Sequence, residues 1–148
     1  MTDVAILRET TEFLHEQIPI TRAMGVKVES IAGGGLVLTA PLAPNHNHLG
    51  TAFGGSLGAI ATLAGYGLLW LQLGDRGAHI VVKGSSLRYP HPVRGDIRAV
   101  CEAPDAVVLA DFKETFAKKG KARIRLVVNI VEDDRVCVEF EGEYVAMK

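Results

Sequence analysis

One stretch constrains everything else in this chain: Asn45 to Leu73, NHNHLGTAFGGSLGAIATLAGYGLLWLQL. It opens as a polar loop with His46 and His48, tightens through Gly50, Gly54 and Gly55, and then runs apolar, without a charge, to a break at Gly74-Asp75. Ser56 to Leu73 is too long for an ordinary strand and holds no proline, so it reads as a helix. Gly58, Gly65 and Gly67 lie inside it. Each costs up to about 1 kcal/mol relative to alanine in a helix interior. They also strip side chains from the surface, so another element can approach the backbone. A membrane span, which needs about 20 apolar residues, is the competing reading. The missing basic flank and the long alternating segments downstream favour a helix buried by a sheet.

The 148 residues suit one domain over 1–148 with a sizeable core. A formal net charge of −1 offers nothing to recruit nucleic acid, and neither nucleic acid nor membrane is expected as a partner. Met1-Thr2-Asp3 lacks the basic start of a signal peptide. Cys101 and Cys137 have neither metal-ligand nor redox spacing, which reads as two buried thiols in a cytoplasmic protein.

Upstream of the central stretch, Asp3 to Gln17 reads as an amphipathic helix with Val4, Leu7, Leu14 and Ile18 on its apolar side, capped by Asp3 and ended by Pro19. Ile20 to Met24 is a connector carrying Thr21 and Arg22. Gly25–Ile31 and Leu36–Ala40 read as strands joined at Gly33-Gly34-Gly35; that run lacks the lysine and Ser/Thr of a phosphate loop. Pro41 and Pro44 stop the sheet. Downstream, strands are expected at His79–Tyr89, Ile97–Cys101, Val107–Phe116, Ala122–Ile130 and Val136–Tyr144, with a hairpin turn at Lys118-Lys119-Gly120. Alternation is clearest in the last two strands and means an antiparallel sheet with one buried face, which the long helix would cover.

That order resembles the α+β hot-dog fold, a curled antiparallel sheet wrapped around one long central helix. More narrowly, the chain is similar to the thioesterase domain of the YiiD C-terminal type. The likeness rests on Asn47-His48-Leu49-Gly50-Thr51-Ala52-Phe53-Gly54-Gly55 and the glycine-rich helix after it, with support from Ser85 to Asp96. It covers nearly the whole chain from Met24, and no acetyltransferase domain accompanies it. It implies an acyl-thioester hydrolase acting on acyl-CoA or acyl carrier protein, with no cofactor. It further implies a homodimer, with a dimer of dimers possible, whose sites straddle the interface. In phenylacetyl-CoA-type relatives the pattern is Asn-x-x-Gly-x-x-His-Gly-Gly, followed by an acidic residue on the helix. Here Asn47 takes the asparagine position, Phe53 the histidine position and Thr62 the acidic position, so both ionisable side chains of that template are absent.

The remaining chemistry is read from the residues themselves. Gly54 and Gly55 at a helix start offer free N–H groups and the positive end of the helix dipole, which can stabilise an oxyanion. Asn47 can hold water or the carbonyl. Thr62 can position water but cannot act as a general base near neutrality. His48, and His46 beside it, are the candidate bases, because imidazole exchanges protons near neutral pH. A His46/His48 metal pair would need His79 or His91 as a third ligand, and no metal is expected. Phe53, Ala59, Leu63 and Tyr66, with Leu69 and Trp70 deeper, are candidates for the acyl-binding surface. Lys83 and Arg88, with Arg94, Lys118 and Lys119, could meet the carrier's phosphates. Two alternatives stay open: a non-catalytic acyl-thioester-binding module, and an enoyl-thioester hydratase or dehydratase, which would want a carboxylate that Thr62 does not supply.

Overall fold

The computed structural model describes residues 3–148, so Met1 and Thr2, part of the start read above as lacking a leader, lie outside the described residues. Helix α1 (Val4–Gln17) begins where Asp3 Oδ1 accepts the Ala5 N–H at 2.9 Å, and it ends ahead of Pro19. Its inward residues are Thr10 and Leu14, with Leu7 and Phe13 partly covered. Val4 is 73% exposed and does not belong to the apolar face assigned to it, because it stands in the first turn beyond the sheet's reach. The Ile20–Met24 connector contains a one-turn helix, α2 (Ile20–Ala23).

Strands β1 (Lys27–Ala32) and β2 (Gly35–Ala40) form a hairpin turned by Gly33 and Gly34 at φ 59° and 79°. β1 starts two residues later than expected, because Gly25 sits at φ 73° in a left-handed turn. α1 is tied to the start of this hairpin. Thr11 Oγ1 accepts the Val28 N–H at 2.9 Å, and His15 Nε2 meets the Val26 carbonyl at 2.7 Å.

Helix α3 (Gly54–Leu73) is the expected long helix, and Gly74 closes it at φ 62°. Strands β3 (His79–Arg88) and β4 (Ile97–Cys101) follow. β3 carries a bulge between Val82 and Gly84, which breaks the simple alternation: Ile80 is buried, and after the bulge Leu87 packs against the core.

Val107–Phe116 is a correction. It is not a strand but the body of helix α4 (Ala106–Lys119). Asp105 Oδ1 accepts the N–H groups of Val107 and Val108, at 2.9 and 3.4 Å, and Phe112 and Phe116 bury one face at helical spacing. Lys118-Lys119-Gly120 is accordingly the end of this helix rather than a hairpin turn. Gly120 adopts φ 72° and returns its N–H to the Phe116 carbonyl at 2.9 Å, while the lysines complement the helix's negative end.

The hairpin instead lies between β5 (Lys121–Glu132) and β6 (Arg135–Met147), turned by Asp133 and Asp134 at φ 52° and 60°. The six strands form one antiparallel sheet in the order β1-β2-β4-β5-β6-β3. It curls around α3, which touches β2, β3, β4, β5 and β6. Ala122, Ile124, Leu126, Val128 and Ile130 of β5 all face α3 or its neighbours from inside, as alternation requires. On β6 the inward set is Val138, Phe140 and Tyr144, whereas Val136 is 37% exposed near the hairpin tip.

Among the described residues α3 is the one helix long and apolar enough to cross a membrane, and here it is the core of the sheet. Gly65 explains how it can be. The Tyr144 ring and hydroxyl occupy the space a Cβ would need, so only glycine lets β6 pack so closely on the helix. Tyr144 is fully buried, and its hydroxyl donates to the Thr62 carbonyl at 2.9 Å.

Candidate active site

The start of α3 is built by the loop before it. Asn45 is buried: its Nδ2 donates to the carbonyls of Met24 and Pro41, both at 2.8 Å, and its own carbonyl accepts the Phe53 N–H at 2.7 Å. Asn47 Oδ1 accepts the N–H groups of Leu49 (2.8 Å) and Thr51 (3.2 Å), while its Nδ2 donates to Thr51 Oγ1 at 2.9 Å and to the Ala52 carbonyl at 3.5 Å. Gly50 closes this turn at φ 78°. The Asn-x-x-Gly spacing is therefore a turn made by the asparagine side chain, with a glycine where the backbone needs a left-handed residue.

Phe53 stands at the N-cap and supplies no side-chain acceptor. Leu57 is the first residue of the helix to bond back, to the Phe53 carbonyl at 3.0 Å. Among the described residues, nothing accepts from the N–H groups of Gly54, Gly55 or Ser56. Three donors and the dipole's positive end thus meet at one uncapped turn.

Two clefts flank that turn. The more polar of the two, of 610 Å³, is lined by Asn47, Thr51, Gly54, Gly55, Tyr89 and His91, with Ala52, Leu57, Pro92 and Val93. An apolar one of 330 Å³ runs along α3 past Gly55, Gly58, Ala59, Thr62, Leu63 and Tyr66 and is closed by Ile18, Ile20 and Thr21 of the α1–α2 corner. Gly55 lines both clefts and Gly54 only the first, and each glycine lies beneath an aromatic ring. The Tyr89 hydroxyl stands 3.5 Å from the Gly54 carbonyl, and a Cβ on Gly55 would fall 2.5 Å from Phe53 Cε2.

The expected site residues divide accordingly. Asn47, Gly54 and Gly55 come together in the polar cleft. Thr62, Ala59, Leu63 and Tyr66 line the apolar one. Thr62 Oγ1 donates to the Gly58 carbonyl at 2.8 Å, so toward a bound water it can only accept. Tyr66 accepts the Val82 N–H at 3.3 Å. Leu69 and Trp70 are buried in the core and line neither cleft; the Trp70 indole donates to the Ala78 carbonyl at 3.0 Å. His48 is exposed and outside both linings, and His46 Nδ1 is engaged with the Asn47 carbonyl at 2.8 Å. Lys83, Arg88 and Arg94 are exposed, and Lys118 pairs with Glu114 on α4. Among the described residues no three His, Cys, Asp or Glu side chains form a metal-binding group.

Asn45 and Tyr89 escaped the sequence reading, and His91 entered it only as a possible third metal ligand. Asn45 was indistinguishable from Asn47 two positions on. Tyr89 reads as the last residue of a strand and His91 as lying beyond it, because nothing in their spacing shows that the chain folds back over Gly54.

The match to known proteins decides the family. The model described as "Putative thioesterase (yiiD_Cterm)" spans residues 7–148. The chain belongs to the YiiD C-terminal thioesterase family. Solved structures similar to this member of the family agree with it. A protein of unknown function from Chlorobaculum tepidum is 38% identical, with a TM-score of 0.89, over 97% of this chain and 94% of that one. A thioesterase, described as putative, from Shewanella oneidensis is 32% identical, with a TM-score of 0.86, over 97% of this chain and 99% of its own. A Pseudomonas aeruginosa protein described as a probable thioesterase is 27% identical, with a TM-score of 0.80, over 95% and 94% of the two chains. The fold of this YiiD C-terminal thioesterase chain is the hot-dog fold.

Proposed function

We propose that this protein hydrolyses acyl thioesters of CoA or acyl carrier protein. The observation that carries the reading is the uncapped glycine start of α3, with three unpartnered N–H groups between a polar and an apolar cleft. The acyl chain lies along Ala59, Leu63 and Tyr66, and Phe53 packs over it. The thioester carbonyl points at Gly54 and Gly55, where N–H groups gain strength as negative charge develops on oxygen. Asn47 meets the carbonyl or the water through the Nδ2 hydrogen that only the 3.5 Å contact to Ala52 now engages. Lys83 and Arg88, exposed on β3, reach the carrier's phosphates.

Thr62 lines the apolar cleft and Asn47 the other, which supports a homodimer in which the partner's Thr62 hydroxyl accepts from the water beside Asn47. The outer edge of β3 pairs with no strand of this sheet and offers a place for a second copy, and a dimer of dimers builds on the same unit. A reducing cytoplasm suits the buried free thiols of Cys101 and Cys137. Thiol release from a panel of acyl-CoA and acyl carrier protein thioesters tests the activity, and sedimentation tests the dimer. A monomer at micromolar concentration would remove the shared-site arrangement.

Two observations favour the second reading, a binding module without turnover. The Phe53 ring rests on Gly55, and no carboxylate or histidine lines the apolar cleft. Acyl-CoA binding with no thiol release from pH 6 to 9 would establish that reading instead.

A further inference from the structure

Among the described residues, His91 is the one lining either cleft whose side-chain chemistry suits proton transfer near neutral pH; the other ionisable groups there are the phenols of Tyr66 and Tyr89. It reaches the polar cleft from the loop after β3, opposite Asn47, Gly54 and Gly55, far along the sequence from the loop that carries His46 and His48. Its backbone is fixed. Pro90 sets the preceding residue, Pro92 confines His91 to extended conformations, and the His91 N–H donates to the Cys137 carbonyl of β6 at 3.4 Å. Half-buried on a backbone held from both sides, His91 offers its imidazole from a fixed point at the rim of the cleft.

The surroundings leave it available. Its own loop contributes the Tyr89 phenol. The Asn47–Leu57 segment presents only uncharged groups to the cleft, and β6 contributes the backbone carbonyl of Cys137, whose thiol is buried. Farther along the loop, the Arg94 N–H is held by the Glu132 carboxylate at 3.1 Å, so that carboxylate is already engaged.

We propose that His91 is the proton-transfer residue of this site, an inference that rests on the thioesterase reading above. Neutral imidazole takes a proton from water as the water oxygen bonds to the carbonyl carbon, and the carbonyl electron pair moves onto the oxygen facing Gly54 and Gly55. As that pair returns, the C–S bond breaks, and the imidazolium delivers its proton to the departing sulfur. The products are carboxylic acid and thiol, and His91 is neutral again. Tyr89, over Gly54, screens the cleft in which the exchange takes place.

The test is the pH profile of kcat/KM for thiol release by the purified full chain, using the acyl-CoA that it turns over best. Wild type should lose activity on the acidic side. His91→Gln should lower kcat by about 100-fold or more, the usual scale for a lost general base, and abolish that acidic limb. Loss of that limb in His48→Gln, with His91→Gln unaffected, would overturn the assignment in favour of His48. Imidazole in the buffer should restore part of the turnover of His91→Ala, which a purely structural role would not allow, and thermal melts of both variants separate misfolding from lost chemistry. A folded His91→Gln with wild-type rate and acidic limb overturns the assignment while the thioesterase reading stands. No thiol release by wild type from any acyl-CoA or acyl carrier protein thioester overturns both.

Discussion

Tyr144 of β6 donates its hydroxyl hydrogen bond to the carbonyl of Thr62, tying a fully buried ring of the sheet to the residue that faces the apolar cleft. Burial, with the nearby Cys101 and Tyr66, pushes the phenol's pKa far up, so the group stays a donor throughout the physiological range. Tyr144→Phe should destabilise the fold by about 0.5–1.5 kcal/mol, the net worth of one such bond. Denaturant unfolding measures it. A loss well above that range would mean that the ring itself had moved.

Gly65→Ala is expected to cost more. Its methyl must enter space that Tyr144 occupies, and overpacking of this kind costs about 1–3 kcal/mol or more. In Tyr144→Phe the penalty should shrink, because the hydroxyl is among the atoms in the way. A double-mutant cycle reads that coupling directly, and strict additivity would contradict it.

Thr62→Val keeps the shape and removes the acceptor that would face a water, whereas Thr62→Ser keeps it. If Thr62 positions water, Val should lower kcat/KM by about 10-fold and Ser should stay near wild type, in line with the modest cost of losing one neutral hydrogen bond. Both should sediment as wild type does. Equal rates for Val, Ser and wild type would reduce the hydroxyl to its bond with Gly58.

Asn47→Ala removes the acceptor of two loop N–H groups and the donor to Thr51, so the turn that delivers Phe53 and Gly54 to the helix start should loosen. We expect kcat/KM to fall by at least 10-fold, with a melting temperature lowered by a few degrees for the lost bonds. Amide exchange should rise at Leu49 and Thr51 first. Unchanged turnover would detach the loop from the chemistry.

Cys101 gives a pH prediction. Burial, aided by the Glu102 charge, pushes its thiol up from 9.0 to about 12. A group whose folded pKa is raised favours the native state below its unfolded pKa, and that contribution is lost as pH climbs toward the folded pKa. Stability should therefore decline between about pH 9 and 12. Cys101→Ala should flatten part of that decline, and native protein should resist thiol alkylation at pH 8. Rapid modification at pH 8 would contradict the burial argument.

The sequence by itself determined the central helix, the β-rich remainder and the family likeness, because these rest on local quantities. An uncharged run from Ser56 to Leu73 has no good alternative to burial, and alternation along Ala122–Ile130 assigns one face to the core whatever lies opposite. The same local reading misassigned Val107–Phe116, where valines and phenylalanines suggest strand by propensity. What overruled propensity was an Asp105 cap, a Gly120 stop and Phe112 with Phe116 turned onto one face. The candidate site was legible only as a motif. Asn47 and the glycine pair are neighbours in sequence and could be read from it. Which histidine approaches them could not, because His48 is close in sequence yet turned to solvent, while His91 arrives on a loop carried back by β3 and anchored to β6. Tertiary structure decided that pairing because β3 joins the sheet beside β6, at its far edge, a long-range choice that no local spacing encodes.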